Sequence, residues 1–228
     1  TVEITQRTIQ GRFLLRPSPR LNQIVVGCLA KAQTTTAALP PKAKQLSGAV
    51  KLHAVAVLSN HFHLLASFET VEHMAKFMNH LKTNLSKEIG RLHDWPGPLF
   101  AGRYTSIPIS DEPKAQVARL RYVLSQGVKE GFVLSPRDWP GVHSAEALAT
   151  GQPLCGLWVD RARLFAARQT AKDVKESDFT TKEMLSLEAI PAWSHLTDLE
   201  QRSAVQSLID GIEIVTRARY QATQTTPL

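Results

Sequence analysis

Apolar and polar positions along the chain follow two periods. A period of two runs through Ala54-Val55-Ala56-Val57-Leu58-Ser59-Asn60-His61-Phe62-His63-Leu64-Leu65-Ala66. It predicts two neighbouring strands, Val50 to Leu58 and 61–68, with Ser59-Asn60 as the polar break between them. In such a strand both imidazoles fall on one face while Phe62 points to the other. Residues 3–16 read as an extended first strand or hairpin stopped by Pro17 and Pro19. Leu99 to Ile109 reads as a further strand after the turn His93-Asp94-Trp95-Pro96-Gly97-Pro98.

Helical spacing governs the intervening segments. Leu21 to about Gln33 carries Leu21, Ile24, Val25, Cys28 and Leu29 on one side, and 34–47 reads as a surface loop. Thr70 is the expected N-cap of a long helix in which Val71, Met74, Met78, Leu81, Leu85, Ile89 and Leu92 form a core stripe. Ser110 and Asp111 are expected to cap the next helix, with Pro113 in its first turn. That helix sets Val117, Leu120, Leu124 and Val128 roughly opposite Arg119, Tyr122 and Gln126. Near the end, Thr197 with Glu200 forms a capping box before a helix carrying Val205, Leu208, Ile212 and Val215.

The order strand, helix, strand, strand, helix, strand is the split βαβ pattern of ferredoxin-like folds. The fold class expected is therefore α+β, an antiparallel sheet with helices on one face and a mainly helical C-terminal extension. The length allows one domain with an extension or two small ones; the boundary expected is one domain over 1–145 and an extension over 146–228. That tail reads as a packing or partner-binding appendage.

Charge changes this picture in one respect. Residues 1–135 hold 17 Lys and Arg against 8 Asp and Glu, whereas 136–228 hold 10 against 12. A basic first part points to a polyanion, of which nucleic acid is the commonest, or to a solvated basic surface. Cys28 and Cys155 lie far apart, which excludes a disulfide framework and fits a reducing cytoplasm. No segment approaches a membrane span and no signal peptide opens the chain; a start at Thr1 is expected to reflect trimming.

The candidate chemistry begins with the histidine pair. Two neutral imidazoles on one face are half of a divalent-metal site, and the alternative is a satisfied structural pair. A third His, Cys or carboxylate at zinc spacing is not evident. An amide oxygen such as that of Gln126, with water, suits Mg²⁺ or Mn²⁺ and leaves positions for phosphate oxygens. Tyr122, four residues before Gln126, shares its side of the helix. A phenol is a poor nucleophile at neutral pH, since its pKa lies near ~10. A metal and nearby cations offset this, which points to transesterification of a phosphodiester. On the helix alone, a surface phenol making one hydrogen bond is the first reading of Tyr122, and the joint pattern with the histidine pair changes that ranking.

Four segments in order carry a resemblance: Ser59-Asn60-His61-Phe62-His63-Leu64-Leu65, Leu99-Phe100-Ala101-Gly102-Arg103-Tyr104, Tyr122 through Val133, and Asp138-Trp139-Pro140. Together they resemble the single-tyrosine transposases of the HUH superfamily, with the REP-associated tyrosine transposases as the closest branch. The resemblance covers about residues 1–145. Gln126-Gly127 stands where that branch commonly has Asn-Pro, which is closer to the insertion-sequence branch.

The resemblance implies a nuclease and strand transferase for hairpin-bearing single-stranded DNA, in a bacterial, cytoplasmic, nucleoid-associated protein that acts as a monomer or homodimer. Tyr122 would form a 5′-phosphotyrosine, and His61, His63 and Gln126 would hold Mg²⁺ or Mn²⁺. Lys82, Lys87, Arg103, Arg119 and Lys129 are candidates for DNA phosphate contacts or, equally, solvated charges. Trp95, Phe100 and Tyr104 are candidates for stacking on bases, with core packing the better reading of Phe100. The competing readings are a replication initiator or relaxase with the same core, a catalytically silent or domesticated DNA-binding protein, and an RNA-binding module on a split βαβ sheet.

Overall fold

A computed structural model describes residues 1–37 and 50–227. Its centre is a four-stranded antiparallel sheet of β1 (Val2–Arg7), β2 (Lys51–Val57), β3 (His61–Ser67) and β4 (Thr105–Pro108), in the order β2-β3-β1-β4. With α1 (Pro19–Ala37) between β1 and β2, and α2 (Val71–Leu92) between β3 and β4, this is the ferredoxin-like arrangement expected from the element order.

Strand alternation divides the core in two. Ile4, Val55, Val57, Phe62, Leu64 and Ala66 face Leu21, Val25 and Leu29 of α1 and Phe77, Met78, Leu81 and Leu85 of α2. The opposite face presents Ala54, Ala56 and Leu65 to α3 (Pro113–Leu124), through Leu120, Val123 and Leu124. Behind α3 lies the long C-terminal α6 (Asp198–Thr223), whose Val205, Ile209 and Ile212 complete this second core. Helices on one face was the expectation. They cover both, because both faces of β2 and β3 are apolar and each needs a cover.

A bulge near the start of β2 shifts its alternation by one residue. Leu52 pairs with Ala66 and Ala54 with Leu65, so His53 is the extra residue. Its buried ring is held by the Glu188 carbonyl at 3.0 Å and Ser67 Oγ at 2.8 Å. The free edge of β2 is covered by later chain. Val57 N donates to Val142 O, Ser144 N to Val55 O, and the Trp139 indole to Val57 O at 2.9 Å. The Asp138-Trp139-Pro140 segment thus leads into a clamp on the sheet edge.

The extension over 146–228 adds elements that the sequence pattern did not reveal. After α4 (Ala145–Thr150), β5 (Leu154–Val159) and β6 (Thr180–Leu185) pair antiparallel on either side of α5 (Arg161–Thr170). This small sheet packs on α1 at a backbone-to-backbone contact. A Cβ placed on Gly27 would lie 2.1 Å from the Leu157 carbonyl oxygen, so only glycine fits there. Both cysteines are free.

Other boundaries moved for local reasons. The expected strand from Leu99 is a single bridge at Phe100, broken where Gly102 takes φ +55 and resumed at Thr105. The first strand stops at Arg7, followed by a 3-10 turn at Ile9–Gly11. Residues 34–37 of the expected loop continue α1, and 38–47 lie outside the described residues. Ser110 and Asp111 do not cap α3; Glu112 occupies the cap without a side-chain hydrogen bond. Thr70 caps α2 as expected and the Thr197–Glu200 capping box opens α6. In the expected stripes, however, Val71 and Val215 are exposed, while Phe77 is buried.

Candidate active site

β3 delivers the two imidazoles to the α3 side of the sheet, where their rings lie 5.1 Å apart, nearly perpendicular. Each is oriented through Nδ1. His61 Nδ1 lies 2.6 Å from Asn60 Oδ1, and His63 Nδ1 lies 2.8 Å from Glu3 Oε1 and 3.1 Å from Thr5 Oγ1. An acceptor at Nδ1 places the ring proton there and leaves the Nε2 lone pair for a ligand. Burial, aided by the charges of His63, Arg7 and Lys129, pushes His61 down to about 4, so its ring is neutral and able to coordinate near neutral pH.

Glu3 is the anchor of this arrangement. It comes from β1, whose Thr5 stands opposite His63 in the sheet, and its side chain is 2% exposed. Its second oxygen takes an ion pair from Arg119 Nη1 at 2.5 Å. Burial alone would raise the carboxyl, but the hydrogen bond and charge of His63 and the pairing with Arg119 outweigh it and hold Glu3 below its ordinary value.

Tyr122, on the last turn of α3, meets His63 edge to face at 5.8 Å between ring centroids. Lys129 Nζ sits 4.6 Å from the tyrosine ring centroid and donates to its hydroxyl at 3.4 Å. The Arg119 guanidinium carbon lies 5.3 Å from the same ring. The fold therefore brings His61, His63 and Tyr122 together with two cations.

Gln126 does not share the helix with Tyr122, contrary to expectation. α3 ends at Leu124, and Gly127 at φ +86 turns the chain. Gln126 is nevertheless buried beside Tyr122. Its Nε2 donates to the Tyr122 carbonyl at 3.0 Å, and its oxygen has no hydrogen-bond partner among the described residues. No group of three His, Cys, Asp or Glu suited to a metal occurs among the described residues. The donors on offer are two imidazole Nε2 atoms and one amide oxygen, a set that fits a divalent ion with open positions.

The five expected DNA-contact residues fall into two groups. Arg119 and Lys129 flank Tyr122, and Arg119 is committed to Glu3. Lys82, Lys87 and Arg103 instead line a groove of about 930 Å³ between α2 and the 97–106 segment, together with Phe100 and Tyr104. Since α2 packs on the other face of the sheet, this groove is remote from Tyr122. Lys82 Nζ donates to the Gly102 carbonyl at 2.9 Å and lies 5.7 and 5.9 Å from the Phe100 and Tyr104 rings. Trp95 stands under the Arg12 guanidinium at 5.0 Å.

Sequence reasoning missed Glu3, Thr5, Arg7 and Asn60. The signal for Glu3 was present: an acid between Val2 and Ile4, on the strand face that Thr5 shares, is unusual unless something pairs with it.

Among known proteins, the family model described as "Transposase IS200 like" matches residues 39–126. No curated protein matches the chain. A solved structure of a REP-associated tyrosine transposase bound to a REP hairpin is similar at 17% identity, over 66% of this chain and 79% of that one, with a TM-score of 0.48. The matched family segment holds His61, His63, Tyr122 and Gln126. Over residues 39–126 the chain is similar to the IS200-like transposases, which bears out the resemblance carried by the motifs.

Proposed function

We propose that the protein is a divalent-metal-dependent endonuclease and strand transferase for hairpin-bearing single-stranded DNA, working through a 5′-phosphotyrosine on Tyr122. The observation that carries this reading is the placement of the Tyr122 ring against His63, with Lys129 Nζ 3.4 Å from its hydroxyl.

In the proposed reaction the Tyr122 oxygen attacks a backbone phosphorus and gives up its proton. The P–O3′ bond breaks, and the 3′-oxygen leaves as a hydroxyl. The bond energy of the backbone is retained in the phosphotyrosine, so a later attack by a 3′-hydroxyl rejoins strands without a high-energy cofactor. Lys129 stabilises phenolate charge as the hydroxyl ionises. His61, His63 and Gln126 would hold Mg²⁺ or Mn²⁺, which when bound supplies Lewis-acid polarisation of the phosphodiester. Asn60 and Glu3 orient the two imidazoles.

Hairpin and single-strand recognition are part of this reading on the strength of the family resemblance. A bacterial cytoplasmic setting and a monomer or homodimer belong to the same reading. Among the described residues, no helix is long and apolar enough to cross a membrane.

The test is incubation with labelled hairpin oligonucleotides and Mg²⁺ or Mn²⁺, followed by a denaturing gel. A covalent protein–DNA adduct is expected from the wild type and none from Tyr122→Phe. Cleavage that persists in that variant removes Tyr122 from its role.

A further inference from the structure

Tyr122 is a wall common to two clefts. One, of about 420 Å³, runs toward β4 past Pro108, Ser110 and Arg119. The other, of about 330 Å³, lies between the end of α3 and α6 and carries Arg121, Lys129 and Arg219 with the apolar Ile212 and Val215. Ala118 and Tyr122 line both, so the two clefts share the tyrosine as a common wall.

The second cleft has the character of a polyanion site. No acidic side chain lines it. Arg121, Lys129 and Arg219 are exposed, and none of them makes an ion pair among the described residues. Arg217, two residues earlier on α6, is by contrast paired with Glu213 at 3.8 Å. Three unpaired cations around one concavity repel each other until an anion arrives. The volume is at the lower end of that of small-ligand pockets, enough for about one nucleotide and too small for a duplex. Ile212 and Val215 give a base an apolar surface while the cations meet phosphate.

We propose that this cleft is a nucleotide subsite for the single strand as it passes Tyr122, with Arg219 supplying a phosphate contact. This rests on the functional reading above and extends it: α6, beyond the segment that matches the transposase family, becomes part of the substrate site. The C-terminal extension then does more than pack against the sheet.

Fluorescence anisotropy tests this in full-length Tyr122→Phe protein without metal, where no cleavage intervenes. The probe is a hairpin oligonucleotide with a single-stranded flank, and a blunt hairpin lacking the flank is the comparison. Arg219→Glu is expected to weaken flank-bearing DNA about tenfold or more. Arg219→Ala is expected to lower the slope of log affinity against log salt by roughly 0.7 to 1, the loss of one phosphate contact. Blunt-hairpin binding should not change, nor should Arg217→Ala alter either probe. Because Arg219 is exposed, melting temperatures should match.

Equal losses from Arg217→Ala and Arg219→Ala, or equal losses on both probes, would mean only a general field of positive charge and overturn the subsite. Wild-type-like binding by Arg219→Glu overturns it too. Adduct formation by the wild type, run in parallel, separates the two claims. If the adduct forms and Arg219 is silent, only the subsite falls; if the protein neither binds the flank nor forms an adduct, both fall.

Discussion

Glu3 Oε1 accepts from His63 Nδ1 at 2.8 Å, and its other oxygen is clasped by Arg119. One buried carboxylate on β1 thereby sets the orientation of an imidazole on β3 and the position of a guanidinium on α3. This links the three elements that surround Tyr122.

Glu3→Gln keeps the shape but weakens the acceptor at His63 Nδ1 and leaves Arg119 without its charge partner. Affinity for Mn²⁺, measured by calorimetric titration of the DNA-free protein, should fall by about 10- to 100-fold. Unchanged Mn²⁺ affinity would show that Glu3 only packs.

Lys129→Met removes the cation beside the Tyr122 hydroxyl while keeping a stem of similar length. The single-turnover rate of adduct formation at saturating DNA should drop by about 10- to 100-fold, with the final yield of adduct preserved. Saturating DNA separates this effect from any loss of binding. A rate equal to that of the wild type would limit Lys129 to binding.

His143 gives a dependence on pH. It is buried beside β2, and burial pushes it down to about 4 against an opposing pull from the Val123 backbone. As pH falls, the unfolded chain takes up this proton near 6.5 while the folded chain does not. Stability is therefore complete above about pH 6.5 and lost progressively toward pH 4, by up to about 3 kcal/mol. His61, pushed down in the same way, adds in the same direction. Urea midpoints should decline between pH 7 and pH 5, where most carboxylates stay ionised. A flat profile there would contradict the buried neutral state.

Gly27→Ala introduces a Cβ where the Leu157 carbonyl oxygen would be 2.1 Å away. Docking of β5 on α1 must loosen, at a cost of about 1–3 kcal/mol, typical of overpacking. Urea denaturation should show it as a lower midpoint. Wild-type stability would mean that the extension over 146–228 contributes little through this contact.

Much of the sheet was legible because strand periodicity is a local property. Alternation from Ala54 to Ala66 predicted β2, β3 and the shared face of His61 and His63 without reference to the rest of the chain. Tyr122 was legible as a polar-side residue of a helix, for the same reason. Glu3 was not, since an acid in a strand reads as solvent-facing until its partner strand and register are known. Gln126 was placed on the helix because nothing local marks Leu124 as its end; the turn at Gly127 rests on a positive φ and on packing under Trp139.

Read alone, the sequence determined the order of elements as far as α3, the antiparallel split βαβ sheet and the candidate imidazole, phenol and amide groups, because side-chain period and motif spacing are written residue by residue. Only the tertiary structure decided that helices cover both faces of the sheet, that Glu3 and Arg119 clamp the site, and that Lys82, Lys87 and Arg103 stand apart from Tyr122. It also brought Arg219 on α6 to the cleft beside that tyrosine. Those relationships join segments from dozens to more than a hundred residues apart, and they arise from burial and register, which no short window of sequence contains.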